Sequence, residues 1–156
     1  MNVVADGYDP PAHVVVATVV ERAGYFLLVQ EHIGGQAVIN QPAGHWERGE
    51  TLVEAACREA LEETGWEITI TDLLGVYGHR PPRLPYGFLR FAFIGRPLRF
   101  QPERQLDAGI ERALWLSRDE LERCREAHRS PMVMRCVDDY LAGRRFPLDL
   151  IAHLGV

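Results

Sequence analysis

Residues 44–66 read GHWERGETLVEAACREALEETGW, and the rest of the chain is organised around them. The segment opens as a loop carrying Gly44 and Gly49 and then turns helical. Thr51 is a suitable N-cap, and Glu54, three residues later, completes a capping box. The run 52–63 is rich in Ala, Leu and Glu, which are strong helix formers, and Gly65 is placed to stop it. The spacing therefore predicts a loop, a helix of three turns and a second turn.

On that helix Glu59, Glu62 and Glu63 stand at i, i+3 and i+4, so their carboxylates share one face. Like charges packed so closely destabilise a helix unless something neutralises them. A hard divalent cation does so, and magnesium prefers oxygen ligands of this kind. The glycine-bearing loop lets backbone approach the same place. The competing explanation is a solvated, Glu-rich helix face with no function. Concentration argues against it: the segment holds six Glu and two Arg, a net of -4 out of the chain's -5. Glu54 already supplies solvent-facing charge, so the face does not need three more acids.

Outward from this segment, composition excludes several chemistries. All 17 basic residues of the 156 are arginine, so there is no lysine for a Schiff base or for a phosphate-binding loop of the ordinary nucleoside-triphosphatase kind. Phosphate must be met by Arg, a metal ion or backbone N–H groups. Apolar content of 47% and charged content of 25% are ordinary for one globular domain spanning 1–156. A net charge of -5 argues against general affinity for nucleic acid. Three cysteines, Cys57, Cys124 and Cys136, form no CxxC pair, which fits a reducing, cytoplasmic location. No apolar run is long enough to span a membrane.

Residues 1–12 read as a flexible leader, since Pro10-Pro11 blocks regular structure. The β-branched run 14–20 and residues 25–30 are strands joined by the turn Arg22-Ala23-Gly24. Residues 33–44 look like a loop. Strands are expected at 66–71, 73–77, 87–94 and 113–116, with a proline-rich loop at 80–85. Ser117 and Glu120 form a second capping box, opening a helix to about His128, and Pro131 opens another that ends near Gly143. Cys57 and the stripe Met132, Val133, Cys136, Val137, Tyr140 and Leu141 read as packing. These elements mix into a compact α/β unit.

The pattern of residues 44–66 resembles the Nudix box: Gly44, five residues, Glu50, seven residues, Arg58-Glu59, then Glu62-Glu63 and Gly65. Its two bulky aliphatic positions hold Ala60 and Trp66 instead, so packing there is expected to differ more than chemistry. The resemblance implies an α/β/α sandwich with a mixed β-sheet and a loop–helix–loop catalytic box. It implies Mg²⁺-dependent hydrolysis (Mn²⁺ as a substitute) of a nucleoside diphosphate linked to another group. By position, Glu59 and Glu63 ligate the metal with Glu62 as a further ligand, and the backbone carbonyl of Ala43 or Gly44 joins them. Arg58 pairs with Glu50 and orients the helix. The general base is Glu59 in first place, Glu111 in second and Asp107 in third.

Asn40-Gln41-Pro42-Ala43-Gly44-His45, Phe88-Leu89-Arg90-Phe91, Arg129-Ser130-Pro131 and Arg144-Arg145-Phe146-Pro147-Leu148 resemble the NudJ-type phosphatase subgroup of that family. That subgroup acts on nucleoside tri- and diphosphates and a thiamine-pathway pyrimidine pyrophosphate, releasing orthophosphate. Pro81 and Pro82 point instead to ADP-ribose pyrophosphatases, and a sanitising hydrolase for oxidised nucleotides shares the same box. A catalytically inactive ligand-binding version would have lost box acids, and all are present. Phe88 and Arg90 share one strand face, where an aromatic ring stacks a base and a guanidinium holds phosphate; equally, Arg90 decorates the sheet or pairs with an acid. Arg80 and Arg83 in the proline-rich loop are further candidates to meet phosphates, against the alternative that exposed loop arginines are simply solvated. His45 and His79 are expected near the site; His13, His32, His128 and His153 are assigned to packing or the surface. A monomer or a homodimer is compatible with all of this.

Overall fold

The computed structural model describes residues 12–155, so all but the last residue of the expected leader lies outside the described residues. Strands β1 (His13–Arg22) and β2 (Tyr25–Ile33) form a hairpin whose two turn residues, Ala23 (φ 52°) and Gly24 (φ 85°), are both left-handed. That geometry matches the right-handed twist of the strands it joins. Residues 33–44, expected as a loop, contain two strands instead. Gly34 (φ 56°) and Gly35 (φ 81°) make a second tight turn, so β3 (Gln36–Asn40) pairs with β2 from Ile33↔Gln36 to Val29↔Asn40. Strand β4 (Ala43–His45) then pairs with β1. The paired glycines are a hairpin signal, and the short strands they join carry little pattern of their own.

Helix α1 (Leu52–Thr64) has both halves of the expected capping box, and Gly65 closes it at φ 73°. The two strands expected over 66–77 are one, β5 (Trp66–His79), because Thr71 is accommodated as a bulge between Ile70↔Gly95 and Asp72↔Ile94. Strand β6 (Phe88–Phe100) runs six residues past Ile94, and β7 (Ile110–Ser117) starts earlier than expected. Helix α2 (Arg118–Arg123) is correctly opened by Ser117 and Glu120 but stops short of His128. A 3₁₀ turn (Arg125–Ala127) follows, and the chain is drawn onto β3 where the Arg129 N–H donates to the Ile39 carbonyl. Helix α3 (Met132–Leu141) begins at Pro131 as expected.

The sheet order is β3-β2-β1-β6-β5, with β4 on β1 and β7 on β2; β1 and β6 run parallel and the other pairs antiparallel. Helix α1 covers one side, burying Leu52, Ala55 and Ala56 against Val16, Leu73 and Phe93, and Ala60 against Val20, Leu27 and Ile68. Helices α2 and α3 cover the other, with Leu121, Val133, Met134 and Val137 against Val19, Phe26, Leu28 and Leu74. The result is the mixed-sheet α/β/α sandwich expected. The two departures from the box both fit this packing. Ala60 is fully buried, and Trp66 packs against Phe100 in a tilted contact and edge-on against Trp115, while the Arg22 guanidinium sits over both indoles. Among the described residues no helix is long and apolar enough to cross a membrane.

Candidate active site

Strand β4 aims its backbone in two directions. Thr18 N–H donates to the Pro42 carbonyl and Trp46 N–H to the Val14 carbonyl, so the alternate residues Pro42, Gly44 and Trp46 face β1. Ala43 and His45 face α1: the Ala43 N–H donates to Glu63 Oε2 at 2.9 Å, and the His45 carbonyl accepts from Arg58 Nη2 at 3.1 Å. Because the N–H and C=O of one extended residue project to the same edge, the Ala43 carbonyl faces the helix and the Gly44 carbonyl does not. Gly44 is where helix and strand meet most closely. A Cβ built there would lie 2.1 Å from Glu59 Cδ and 2.1 Å from Glu59 Oε1. The glycine is required because the Glu59 carboxylate occupies the space a side chain would fill.

Arg58 holds this arrangement rigid. Its Nε and Nη2 donate to the two oxygens of Glu50 at 2.9 and 2.8 Å, and its Nη1 donates to Glu59 Oε1 at 2.7 Å and Glu62 Oε2 at 3.0 Å. These carboxylates, Glu50 first, raise the Arg58 pKa, and the guanidinium in turn holds the Glu50 carboxyl below the usual carboxylate range. Glu50 also accepts the Glu47 N–H, and its own carbonyl accepts Trp46 Nε1, which ties the loop 46–50 to the helix.

Carboxylate oxygens of Glu59, Glu62 and Asp107 lie within 4.8 Å of one another. Asp107 is brought there by its own N–H, which donates to the Glu62 carbonyl at 3.1 Å. Glu63 is buried beside them; burial is the main cause that pushes its pKa up to about 8, and burial likewise raises that of Glu59. Arg58 reaches one oxygen of Glu59 and one of Glu62, leaving the remaining oxygens of the cluster to face each other. Hard oxygen donors so crowded fit Mg²⁺ or Mn²⁺, which take carboxylate and carbonyl oxygen.

Glu59 and Glu63 line a cavity of about 660 Å³ whose wall also includes His45, His79, Phe88, Arg90 and Arg129. Arg90 is only 4% exposed. Its Nη1 and Nη2 donate to Gln41 Oε1 at 3.1 Å and Asn40 Oδ1 at 3.2 Å, while its buried Nε has no partner among the described residues. Burial depresses its pKa. Gln41 is itself fixed by donating to the Val133 carbonyl at 2.8 Å. Arg129, also in the lining, pairs with Glu31 at 3.0 Å.

The structure thus links Glu50, Arg58, Glu59 and Glu62 in one hydrogen-bonded group, and puts Ala43, Glu59, Glu63, Phe88 and Arg90 in the cavity wall. Arg80 stands outside the lining, its side-chain stem against Gly87. Glu111 lies on the exposed end of β7, accepting from Gln30 and paired with His32 at 3.1 Å, while Asp107 joins the box acids. The polar groups around Arg90, namely Asn40, Gln41 and Glu31, have no role assignable from sequence. Nothing local marks them, since they meet Arg90 only through the pairing of distant strands.

Residues 10–136 match the family model described as NUDIX domain. The chain is 41% identical over 140 residues to a protein named Phosphatase NudJ from Escherichia coli strain K12, covering 89% of this chain and 90% of that one. A solved structure of a NUDIX hydrolase from Nitrosomonas europaea superposes with a TM-score of 0.90 at 43% identity, over 92% of this chain and 98% of its own. A UDP-X diphosphatase superposes with a TM-score of 0.70 at 21% identity, over 90% of this chain and 68% of its own, a likeness of fold. With the box acids assembled on α1 against β4, and with matches of this extent, the chain belongs to the Nudix hydrolase family.

Proposed function

We propose that this chain is a Mg²⁺- or Mn²⁺-dependent phosphatase of small phosphoanhydrides. Its substrates are nucleoside tri- and diphosphates or a thiamine-pathway pyrimidine pyrophosphate, and orthophosphate is released. The clustering of Glu59, Glu62 and Asp107, with Glu59 and Glu63 lining a cavity whose wall also holds Phe88 and a buried arginine, carries this reading. The name of the Escherichia coli relative favours orthophosphate release.

Glu59, Glu62 and Glu63 would hold the cation, with Asp107 beside Glu59 and Glu62 and the Ala43 carbonyl turned toward the helix. Bound there, it would supply charge neutralisation at phosphate oxygens and a lowered pKa of bound water. Arg58 fixes the Glu59 carboxylate against Gly44, so Glu59 is aimed before substrate arrives. Glu59 is the first choice for accepting the proton of the attacking water, and Asp107 now stands ahead of Glu111 by position. Phe88 supplies a ring face for the organic part of the substrate, and Arg90 a fixed positive charge. The chain acts as one unit on a small-molecule ligand, without nucleic acid, in a reducing compartment suited to its three free cysteines.

Glu59→Gln and Glu63→Gln are each expected to abolish magnesium-dependent turnover while the folded state persists. The measurement is phosphate release beside thermal unfolding, and near wild-type rates in either variant would refute the assignment. Product identification over a substrate panel separates the alternatives. Dominant cleavage of ADP-ribose to AMP would replace the phosphatase reading, a possibility kept open by Pro81 and Pro82 in the cavity wall.

A further inference from the structure

The N-terminal end of α1 is held by a residue 101 positions away: the Leu52 N–H donates to His153 Nε2 at 3.0 Å. Leu52 is the first residue of the helix, and its N–H is one of the four that no intrahelical carbonyl can satisfy. Thr51 Oγ1 takes the N–H of Glu54, and the Thr51 carbonyl that of Ala55. His153 therefore completes the cap with an acceptor the local sequence does not provide.

The ring is delivered by a strap that follows α3. Phe146 exchanges both backbone hydrogen bonds with Leu73 on β5, at 2.8 and 2.9 Å. Leu148 and Ile151 then pack on the core cluster that contains Leu52, Ala55 and Ala56. The His153 ring meets Trp46 edge-on at 6.4 Å, and Trp46 Nε1 is bound to the Glu50 carbonyl. Sheet, box loop and box helix are thus tied together at one imidazole.

We infer that His153 is a positioning residue for hydrolysis, acting as a neutral hydrogen-bond acceptor that fixes the start of α1 and through it the carboxylates of Glu59 and Glu63. This rests on the phosphohydrolase reading above. Glu59 lies seven residues along a stiff helix, about 10 Å from the cap, so a small tilt at Leu52 displaces its carboxylate. To accept at Nε2 the ring must carry its proton on Nδ1. An imidazolium has no acceptor and would turn a donor toward the Leu52 N–H. Glu54 on α1 is electrostatically coupled to the ring, and its carboxylate is already committed to the Thr51 N–H.

Three variants test this: His153→Ala removes the acceptor, His153→Gln keeps a neutral one, and His153→Arg offers donors only. Expected at pH 8 is a fall in kcat of about five-fold for His153→Ala and His153→Arg, the size of losing one cap partner, with KM for substrate little changed. His153→Gln should keep most of the wild-type rate. Amide exchange at Leu52 should quicken in His153→Ala and His153→Arg alone. Wild-type kcat and Leu52 exchange in His153→Ala would overturn the inference, and so would a His153→Gln as impaired as His153→Ala. A wild type without metal-dependent phosphate release would instead refute the phosphohydrolase reading, and Leu52 exchange would still decide the cap.

Discussion

Gly44 and Glu59 occupy what is in effect a single site, since the carboxylate sits where the glycine's side chain would be. Gly44→Ala must push Glu59 out of the place where Arg58 holds it. A displacement of this kind at a catalytic group costs on the order of 100-fold. The expected result is a kcat lower by that factor with a thermal midpoint close to wild type, read by steady-state phosphate release and calorimetry. Unimpaired turnover would mean that Glu59 does not act from this position. The glycine is visible in the sequence as the first letter of the box, yet its reason is steric and belongs to the meeting of β4 with α1.

At the scale of elements, the Glu50–Arg58 pair staples the box loop to the box helix. Glu50 is 15% exposed at its side chain, so the pair is largely shielded from solvent. Loss of a charge-assisted, bidentate contact costs roughly 1.5–3 kcal/mol, and Glu50→Gln should lower stability by that order at neutral pH. The sign with pH follows from the depressed Glu50 pKa. Its contribution is fully present above the unfolded carboxyl value of about 4.3 and is lost as pH falls through the lower folded value. Denaturation midpoints of wild type and Glu50→Gln should therefore converge on acidification and separate toward neutrality. Parallel curves would show that the pair does not stabilise the fold. The caps, the stop at Gly65 and the i, i+3, i+4 carboxylates were all legible here, because each depends on residues within one or two helical turns. The strands of 33–45 were not, because short strands are defined by partners elsewhere in the chain.

Over the whole molecule, the sheet delivers Arg90 to the cavity wall from β6, with Asn40 and Gln41 from β3 and its end to hold it. Among the described residues Arg90 has no carboxylate partner; its guanidinium is held by the neutral side-chain amides of Gln41 and Asn40. Arg90→Met keeps the length and removes the charge. It should raise KM by about 10- to 100-fold, the range for a lost charge-assisted contact. The folded state should be retained, since a buried cation is replaced by an apolar chain. Substrate titration together with thermal unfolding checks both halves, and an unchanged KM would make Arg90 a purely structural residue. The sequence left Arg90 between a phosphate contact and a surface ion pair. The structure excludes the surface, because β6 lies between β1 and β5 with helices over both faces.

By itself the sequence determined the box: its helix, its capping and its acidic face. It could do so because α-helical spacing is fixed by backbone geometry, so side-chain proximity follows from counting. Tertiary structure alone decided that Asp107 and not Glu111 joins the acids, that Arg90 is buried in the cavity wall, and that His153 caps the helix carrying Glu59. Each of those contacts joins residues dozens of positions apart or more. Which distant groups meet depends on strand order, bulges and the path of the strap after α3, and no local periodicity encodes that.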